Sequence, residues 1–307
     1  MKVKPDPHIS PRKSPYGCRR SFRGDQAAML KNIADQTHPK LKYIDNIHKG
    51  QTAWIFGSGA SLDEVWDWNI PDNVVTFALN AGMIYFWDQK EKIKYTQIAP
   101  ATLYRRRMDY WFAFDLRVTS HRLQPEWEYY NLAMRHPTAK KLIPEFFPSI
   151  LGLPNVHRFK LQDKKTTFYK PYRGNLITGD SILTPALHYC YITGFKRIFL
   201  SGIDMCHLKI RGKYERYHTA MNQMEWRGNH LNVHGKSTIA PNSEQVMVSP
   251  MYNKHYLQIM AQIRFLQKHG VEVYKTSPRG MLSVNAINDE RTMRAIINDS
   301  KEIRYAK

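Results

Sequence analysis

The stretch TAWIFGSGASLDEV, residues 52 to 65, joins a short apolar run to a turn built of small residues. The run ends at Gly57-Ser58-Gly59, and Ser61 and two acids follow soon after, which predicts a strand, a tight turn and the start of a helix. Small residues let the backbone approach a phosphate, and a helix N-terminus favours negative charge. The third glycine of the dinucleotide-binding fingerprint is absent, so a plain strand-to-helix turn remains the alternative at this point.

Strand-like and helix-like segments alternate through the rest of the chain. Strands are predicted at WIFG (54–57), VVTFALN (74–80), WFAFDL (111–116), KRIFLSGID (196–204) and VEVYKTSP (271–278). Helices are predicted at SLDEVWDWN (61–69), SILTPALHYCYITG (181–194) and NKHYLQIMAQIRFLQKHG (253–270), the last with apolar positions at Leu257, Met260, Ile263 and Leu266. This alternation is typical of a parallel sheet with helices on both faces. The predicted fold class is therefore α/β, with a Rossmann-like sheet.

The length of 307 residues and the 42% hydrophobic content allow one substantial core or two modest ones. We predict a basic N-terminal arm and helix over 1–48, the α/β domain over 49–290 and a C-terminal helix over 291–307. A smaller lid or insertion is expected at about 205–250. No apolar run reaches the roughly 20 residues of a membrane span, and no secretory signal is visible. Three scattered cysteines suit a reducing cytoplasm.

The charge is strongly basic, with 46 Lys and Arg against 26 acids and a formal net charge of +20. Residues 1–49 alone carry eleven Lys or Arg against four Asp. Such an excess predicts a polyanionic partner, most often nucleic acid, with anionic lipid head groups or acidic glycans as alternatives. For the N-terminal segment, a solubilising tail is the other interpretation.

Two further basic stretches, LYRRRMDYWF (103–112) and KKTTFYKPYRG (164–174), interleave cations with aromatic rings. Cations neutralise phosphates and rings stack on bases, so both stretches fit nucleic-acid contacts. Ordinary surface loops anchored by buried aromatics would look the same. The predicted nucleic-acid contacts are Arg19, Arg20, Arg105, Arg106, Arg107, Lys164, Lys165, Lys170 and Arg173.

Polar residues close the predicted strands, where ligands of parallel sheets bind. Asn80 ends the second strand and fits a base or a ribose, Asp115 ends the third, and Asp204 ends the strand that carries Gly202-Ile203. A carboxylate at Asp204 would serve as a base or would position a divalent cation. Each of these residues also fits a simple turn cap.

Several islands between about Thr52 and Val284 resemble the bacterial sialyltransferases of glycosyltransferase family 42. The matching strings are IFGSGASL, FALNAG, ITGDS, ALHYCYITGFKRIFLSGIDM and TSPRGMLSV. They are also similar to a wider group that includes hydroxymethylpterin pyrophosphokinase-like proteins and uncharacterised phage-encoded proteins. The resemblance implies a GT-A-like single nucleotide-binding domain that takes a nucleotide-activated sugar as its donor.

Carried over by position, the resemblance implies a donor site along these strand ends. Its residues are Gly57, Ser58, Gly59, Ser61, Asn80, Asp115, Thr178, Gly179, Asp180, Ser181, Tyr214 and Tyr217. Tyr214 and Tyr217 are only the nearest tyrosines, because Met205-Cys206-His207 stand where the family has tyrosines that support the leaving phosphate. The family also has Asn where this chain has Ser58, so the resemblance leaves the donor sugar and its nucleotide open.

The general base is expected among His255, His218 and Asp204. The family uses a histidine before its late helix, and His255 lies one position from the ungapped match, which is Lys254. A histidine suits the deprotonation of an acceptor hydroxyl near neutral pH. The pair His230 and His234 has the i, i+4 spacing of helical metal ligands, but Leu231 stands where the metalloprotease pattern has Glu, which favours cleft-lining or surface histidines over a metal site.

The function predicted is an inverting, nucleotide-sugar-dependent glycosyltransferase that acts on a polyanionic acceptor, best a hydroxylated base in phage DNA. The alternatives are a sialyltransferase-like enzyme acting on a surface glycan and a non-catalytic nucleic-acid-binding protein on the same scaffold. Pyrophosphoryl transfer would need magnesium and carboxylates such as Asp115, Asp180 and Asp204. No metal is required for the favoured reaction, although Mg²⁺ is possible. The expected location is the cytoplasm, of the host for a phage-encoded protein.

Overall fold

A computed structural model describes residues 40–86, 106–113, 136–145, 155–162, 167–179, 181–215 and 235–302. Several residues singled out from the sequence lie outside these ranges, and their assigned roles stay predictions. They are Arg19, Arg20, Arg105, Asp115, Lys164, Lys165, Asp180, Tyr217, His218, His230 and His234.

Within the described ranges, nine strands form one sheet in which every neighbouring pair is parallel. These strands are β1 (Thr52–Phe56), β2 (Val74–Leu79), β3 (Tyr110–Phe112), β4 (Lys140–Pro144), β5 (Val156–Gln162), β6 (Asn175–Ile177), β7 (Arg197–Ser201), β12 (Glu272–Lys275) and β13 (Asn285–Ala286). Four further strands, β8 to β11, form two separate hairpins between β7 and β12. They are β8 (Leu208–Ile210), β9 (Lys213–Glu215), β10 (Lys236–Ile239) and β11 (Gln245–Val248).

The sheet order is β13-β12-β7-β1-β2-β3-β4-β5-β6. The chain moves outward from β1 to β6, then crosses back to the other side of β1 and continues through β7, β12 and β13. The strand order therefore reverses between β1 and β7. In open parallel sheets, ligands bind in the crevice beyond the carboxyl ends of the strands at such a reversal.

Helices cover both faces of the sheet. On one face lie α1 (Leu183–Thr193) and α2 (Pro250–Lys268), which share a buried core with the inward side chains of β1 to β7 and β12. On the other face lie two 3₁₀ helices, Ala60–Val65 and Asn80–Phe86, together with α3 (Glu290–Glu302). The predicted α/β sheet with helices on both faces is confirmed.

The helix ends follow local chemistry. At the start of α2, the Ser249 side chain accepts a hydrogen bond from the Tyr252 N–H, and Pro250 occupies the first turn, where its missing N–H costs nothing. At the end of α1, Gly194 takes the left-handed conformation with φ of 86°, which only glycine adopts without strain. Both helices were predicted from the sequence, α2 with a start three residues too late.

Three features of the sequence reading were wrong. Strands β4 and β5 were not predicted, because Lys141 and Arg158 interrupt their apolar runs although both side chains are buried, and the three-residue β6 was not predicted either. The helix expected over 61–69 is a 3₁₀ helix that ends at Val65. Leu257, expected on the apolar side of α2, is 62% exposed, since the buried stripe runs through Ile259, Ile263 and Leu266.

The two hairpins fall within the segment expected to form an insertion, although the domain boundaries themselves stay predictions. Beneath the hairpins lies a small apolar cluster that includes Cys206, Leu208 and Val246. Cys190 and Cys206 are buried and free of disulfide bonds. Among the described helices, none is long and apolar enough to cross a membrane.

Candidate functional site

The loops after β1 and β7 approach each other more closely than side chains would allow. The Gly57 N–H donates to the Ser201 carbonyl at 2.8 Å, and the Gly59 N–H donates to the Gly202 carbonyl at 2.9 Å. A Cβ on Gly57 would lie 2.4 Å from the Gly202 oxygen, and one on Gly59 would lie 2.6 Å from an oxygen of Asp204. These glycines are required by the contact between the two loops, which lies at the point where the strand order reverses.

Asp204 is buried against the start of the first 3₁₀ helix. Its carboxylate accepts hydrogen bonds from the Ser61 N–H, at 3.0 Å, and from the Ser61 hydroxyl. Burial raises the pKa of Asp204 to about 6, although the two bonds from Ser61 lower it. The N–H and hydroxyl of Ser61 therefore bind the Asp204 carboxylate instead of a ligand phosphate. The helix that contains Ser61 is also short, with six residues. The phosphate contact expected of a helix N-terminus here gains no support from this geometry.

A group of charged side chains adjoins Asp204. The Arg279 guanidinium lies between Glu64, with Nε 3.8 Å from Oε1, and Glu244, with Nε 2.9 Å from Oε1. Burial raises the pKa of Glu64, and it lowers the pKa of Lys275, whose Nζ donates to the Pro278 carbonyl at 3.0 Å. The Glu244 contact fixes the turn between β10 and β11 to the carboxyl end of the sheet.

The end of β2 lies against the end of β1. Asn80 adopts a positive φ of 47°, and its carbonyl accepts a hydrogen bond from the Trp111 indole at 2.9 Å. A Cβ on Gly82 would lie 2.2 Å from the Phe56 oxygen, so the turn after β2 touches the last residue of β1. Asn80, half-exposed, thus lies near the Gly57 loop, as expected from the sequence.

The ITGDS turn, which follows β6, packs against α2. A Cβ on Gly179 would lie 2.6 Å from the Thr184 hydroxyl and 2.7 Å from Nε2 of Gln258. Thr178 is buried, and the Ser181 hydroxyl accepts a hydrogen bond from the Leu183 N–H at 3.2 Å. Gln258 was missed by sequence reasoning, because a glutamine in an amphipathic helix carries no signal until its neighbour across the packing is known.

His255 lies one helical turn before Gln258 on α2 and is buried. One turn further towards the N-terminus, Tyr252 packs against the cluster that contains Ala60 and Cys206. Residues three or four apart lie on the same side of a helix. The first half of α2 therefore runs from the loops after β1 and β7 to the Gly179 turn, and His255 lies between these two parts.

The other candidates lie elsewhere. Tyr214 is on β9, directly across from Lys209. Arg106 donates to the Tyr85 carbonyl at 2.9 Å and stacks over that ring, and Arg107 donates to the Asp72 carbonyl at 3.0 Å. Both guanidinium groups are thus bound to backbone carbonyls of the segments on either side of β2.

In the KKTTFYKPYRG stretch, cations and rings pair with one another. Lys170 lies over the Tyr191 ring, with its Nζ 4.4 Å from the centroid, and Arg173 lies over the Tyr169 ring at 5.6 Å. Phe168 is buried, so this loop has an aromatic anchor as well as exposed charge. Among the residues that the structure covers, no three His, Cys, Asp or Glu side chains gather as a metal site would need.

The chain shares its fold with a solved glycosyltransferase. The MAf glycosyltransferase from Magnetospirillum magneticum AMB-1 superposes with a TM-score of 0.50 and 10% sequence identity, over 90% of this chain and 42% of that one. The chain thus spans less than half the length of that protein. The sialyltransferase CstII from Campylobacter jejuni, solved with the substrate analogue CMP-3FNeuAc, has a TM-score of 0.37 and 13% identity, over 78% of this chain and 88% of that one. No protein-family model matches the sequence, and no curated protein matches it significantly.

Proposed function

We propose that the protein is a nucleotide-sugar-dependent glycosyltransferase whose donor binds where the strand order reverses, between β1 and β7. The observation that carries this proposal is the close pairing of the Gly57–Gly59 loop with Gly202, which brings the ends of β1 and β7 together beside Asn80 at that crevice. The fold shared with the MAf glycosyltransferase supports it. Thr178, Gly179 and Ser181 would contact the donor from the side of α2.

The reaction proposed is an inverting transfer with His255 as general base. The imidazole takes the proton of an acceptor hydroxyl, the oxygen attacks the anomeric carbon, and the nucleotide leaves with the electrons of the bond that breaks. Asp204 is the weaker candidate, because Ser61 already donates two hydrogen bonds to its carboxylate. Its role is to position the loop after β1. His218, outside the described residues, remains the alternative base.

The acceptor proposed is a polyanion, best a hydroxylated base in phage DNA, acted on in the cytoplasm. The support is the net charge of +20, since a basic protein concentrates at phosphate-rich partners. An acidic surface glycan is the alternative acceptor. The proposed reaction does not require Mg²⁺, although the pyrophosphate of a nucleoside diphosphate donor would bind this ion.

Donor binding is tested by thermal unfolding of the full chain with UDP, CMP and GDP sugars. A donor present at 100 times its Kd stabilises the folded state by about 2.7 kcal/mol and so raises Tm by several degrees. Transfer or hydrolysis of the same panel gives the second readout. If no nucleotide sugar shifts Tm or is consumed, with or without Mg²⁺, the glycosyltransferase proposal fails. Salt-sensitive DNA binding by such a protein would then favour the non-catalytic alternative.

The general base is tested by His255→Ala beside Lys254→Ala. Removal of a general base slows turnover by about 10² to 10⁴-fold, so we expect His255→Ala to lose activity while its donor still raises Tm. Lys254 is exposed on the same turn and is the ungapped match to the family histidine, which makes it the matched control. Full activity in His255→Ala, or an equal loss in Lys254→Ala, would contradict the assignment. His255→Gln separates lost chemistry from lost packing.

A further inference from the structure

The β8–β9 hairpin carries three cations at its tip. Lys209, Arg211 and Lys213 are all exposed. Arg211 and Gly212 connect the strands with φ of 49° and 82°, and positive φ at both positions is typical of the tight two-residue turn that matches strand twist. Among the residues that the structure describes, none of the three cations forms a salt bridge. The tip is therefore compact and basic, and its cations have no ion pair with another residue of the described ranges.

The base of this hairpin is fixed to the candidate site. Leu208 is buried, and Ile210 packs against the cluster that contains Cys206 and Val246. The Arg279 guanidinium donates to the Lys209 carbonyl at 2.9 Å. The hairpin begins four residues after Asp204, so its tip lies within about 25 Å of the loop after β7, since a chain extends at most about 3.5 Å per residue.

The two faces of the hairpin differ. Leu208 and Ile210 face the apolar cluster, and successive residues of a strand point to opposite faces. Lys209 and Tyr214, which are directly paired across the strands, therefore share the outward face. Lys209 is exposed and Tyr214 is half-exposed. This face sets an aromatic ring beside a cation, at the edge of the proposed donor site.

A cation next to an accessible ring matches the chemistry of a nucleic-acid strand. Lysine and arginine neutralise phosphates, and the ring stacks on a base whatever its sequence. An anionic membrane surface would also engage the cations, but a single half-exposed tyrosine offers it little apolar area to insert. The pairing of Tyr214 with Lys209 thus favours a nucleic acid.

We propose that the β8–β9 hairpin is a nucleic-acid-binding surface, with Lys209, Arg211 and Lys213 on phosphates and Tyr214 stacked on a base. This inference rests on the proposed glycosyltransferase function. The hairpin holds a single strand so that the base to be modified reaches the donor. Neither the arginine-rich stretch before β3 nor the loop before β6 is needed for this contact.

The test is fluorescence anisotropy with a labelled single-stranded DNA oligonucleotide over a range of salt concentrations. The triple variant Lys209→Ala, Arg211→Ala, Lys213→Ala is compared with the triple control Lys49→Ala, Arg264→Ala, Lys268→Ala, which removes equal charge at exposed positions elsewhere. Each phosphate contact on a single strand contributes about 0.7 to the slope of log K against log salt. We expect the slope to fall by about 2 in the hairpin variant and to change little in the control. Equal effects of the two triple variants would overturn the proposal.

Tyr214 is tested separately. Tyr214→Ala should weaken oligonucleotide binding about tenfold at every salt concentration without changing the slope, because stacking is not ionic. Tyr214→Phe keeps the ring and should restore the affinity. Unchanged binding in Tyr214→Ala would overturn the stacked base. Loss of binding to phosphatidylserine vesicles in the triple hairpin variant, with oligonucleotide binding intact, would overturn the nucleic-acid surface in favour of a membrane.

The two proposals fail in different measurements. The hairpin variant should keep the donor-induced rise in Tm of the wild type, because none of its changes lies in the loops after β1 and β7. A wild type whose Tm is unchanged by every donor and that consumes none of them defeats the glycosyltransferase proposal, whereas a hairpin variant with unchanged DNA binding defeats the hairpin proposal alone.

Discussion

At the scale of single residues, Asp204 shows how burial changes the pKa of a carboxylate that the sequence offers as a catalytic group. Its carboxylate is held by Ser61 and lies beside Glu64, and burial raises its pKa from 3.8 to about 6. The folded chain therefore keeps this proton up to a higher pH than the unfolded chain does. Its stabilising contribution is complete below about pH 4 and is lost as the pH rises through about 6.

We expect Asp204→Asn to remove this pH dependence, because an amide accepts from the Ser61 N–H and donates to its hydroxyl. One pKa unit corresponds to about 1.4 kcal/mol. From about pH 4 to about pH 7, the wild type should therefore lose about 3 kcal/mol of unfolding free energy through Asp204 that the variant keeps. Urea unfolding at both pH values measures this gain. Stability curves that stay parallel would show that Asp204 does not titrate in this window.

At the scale of elements, α2 shows that the apolar pattern fixes a helix but not which leucine is buried. Leu266 is 0% exposed and Leu257 is 62% exposed, although both were expected on the apolar side. The sheet lies under the stripe through Ile259 and Ile263, and Leu257 projects away from that stripe.

The two leucines form a matched pair within one helix. Leu266→Ala should lower the free energy of unfolding by about 2 to 5 kcal/mol, since it removes buried methyl groups and leaves a cavity. Leu257→Ala should change it by less than about 0.5 kcal/mol. Denaturant unfolding of both variants checks the difference. Similar losses at the two positions would mean that another surface covers Leu257.

At the scale of the whole molecule, His188 ties one face of the sheet to the loop before β6. Its Nδ1 accepts from the Ile177 N–H at 2.9 Å, and its Nε2 lies 3.1 Å from the Tyr169 carbonyl, so the ring is neutral with its proton on Nε2. Burial lowers the pKa of His188 to about 4. The unfolded chain therefore takes up this proton at higher pH, and stability falls as the pH drops below about 6.5.

Because the unfolded chain protonates His188, the free energy of unfolding of the wild type should fall by about 2 kcal/mol between pH 7 and about pH 5. The fall is about 1.4 kcal/mol per pH unit below 6.5. His188→Gln, whose amide can serve both bonds, should be less stable at pH 7 but should lose less on acidification. The difference between the free energies of unfolding of the wild type and the variant, measured by urea unfolding at both pH values, is expected to shrink by up to about 2 kcal/mol. A constant gap would place the acid sensitivity in other groups.

Local chemistry in the sequence determined much of the fold. Apolar runs at β1, β2 and β7 and the glycine that ends α1, Gly194, are readable because each signal lies within a few neighbouring residues. The strand ends at Gly57, Asn80 and Asp204 followed from the same pattern, because parallel strands bring their carboxyl ends to one edge.

Tertiary structure alone decided the rest. Strands β4 and β5 cannot be recognised from hydropathy because they contain Lys141 and Arg158. Only the packing shows that these two charged side chains are buried. The bond from Ser61 to Asp204 and the contact of Gly179 with Gln258 join residues 143 and 79 positions apart. Such contacts depend on which strands become neighbours, and that choice is made by the whole sheet. The sequence by itself determined the parallel α/β scaffold and the edge of the candidate site, and the strand reversal between β1 and β7 decided which polar groups meet at that edge.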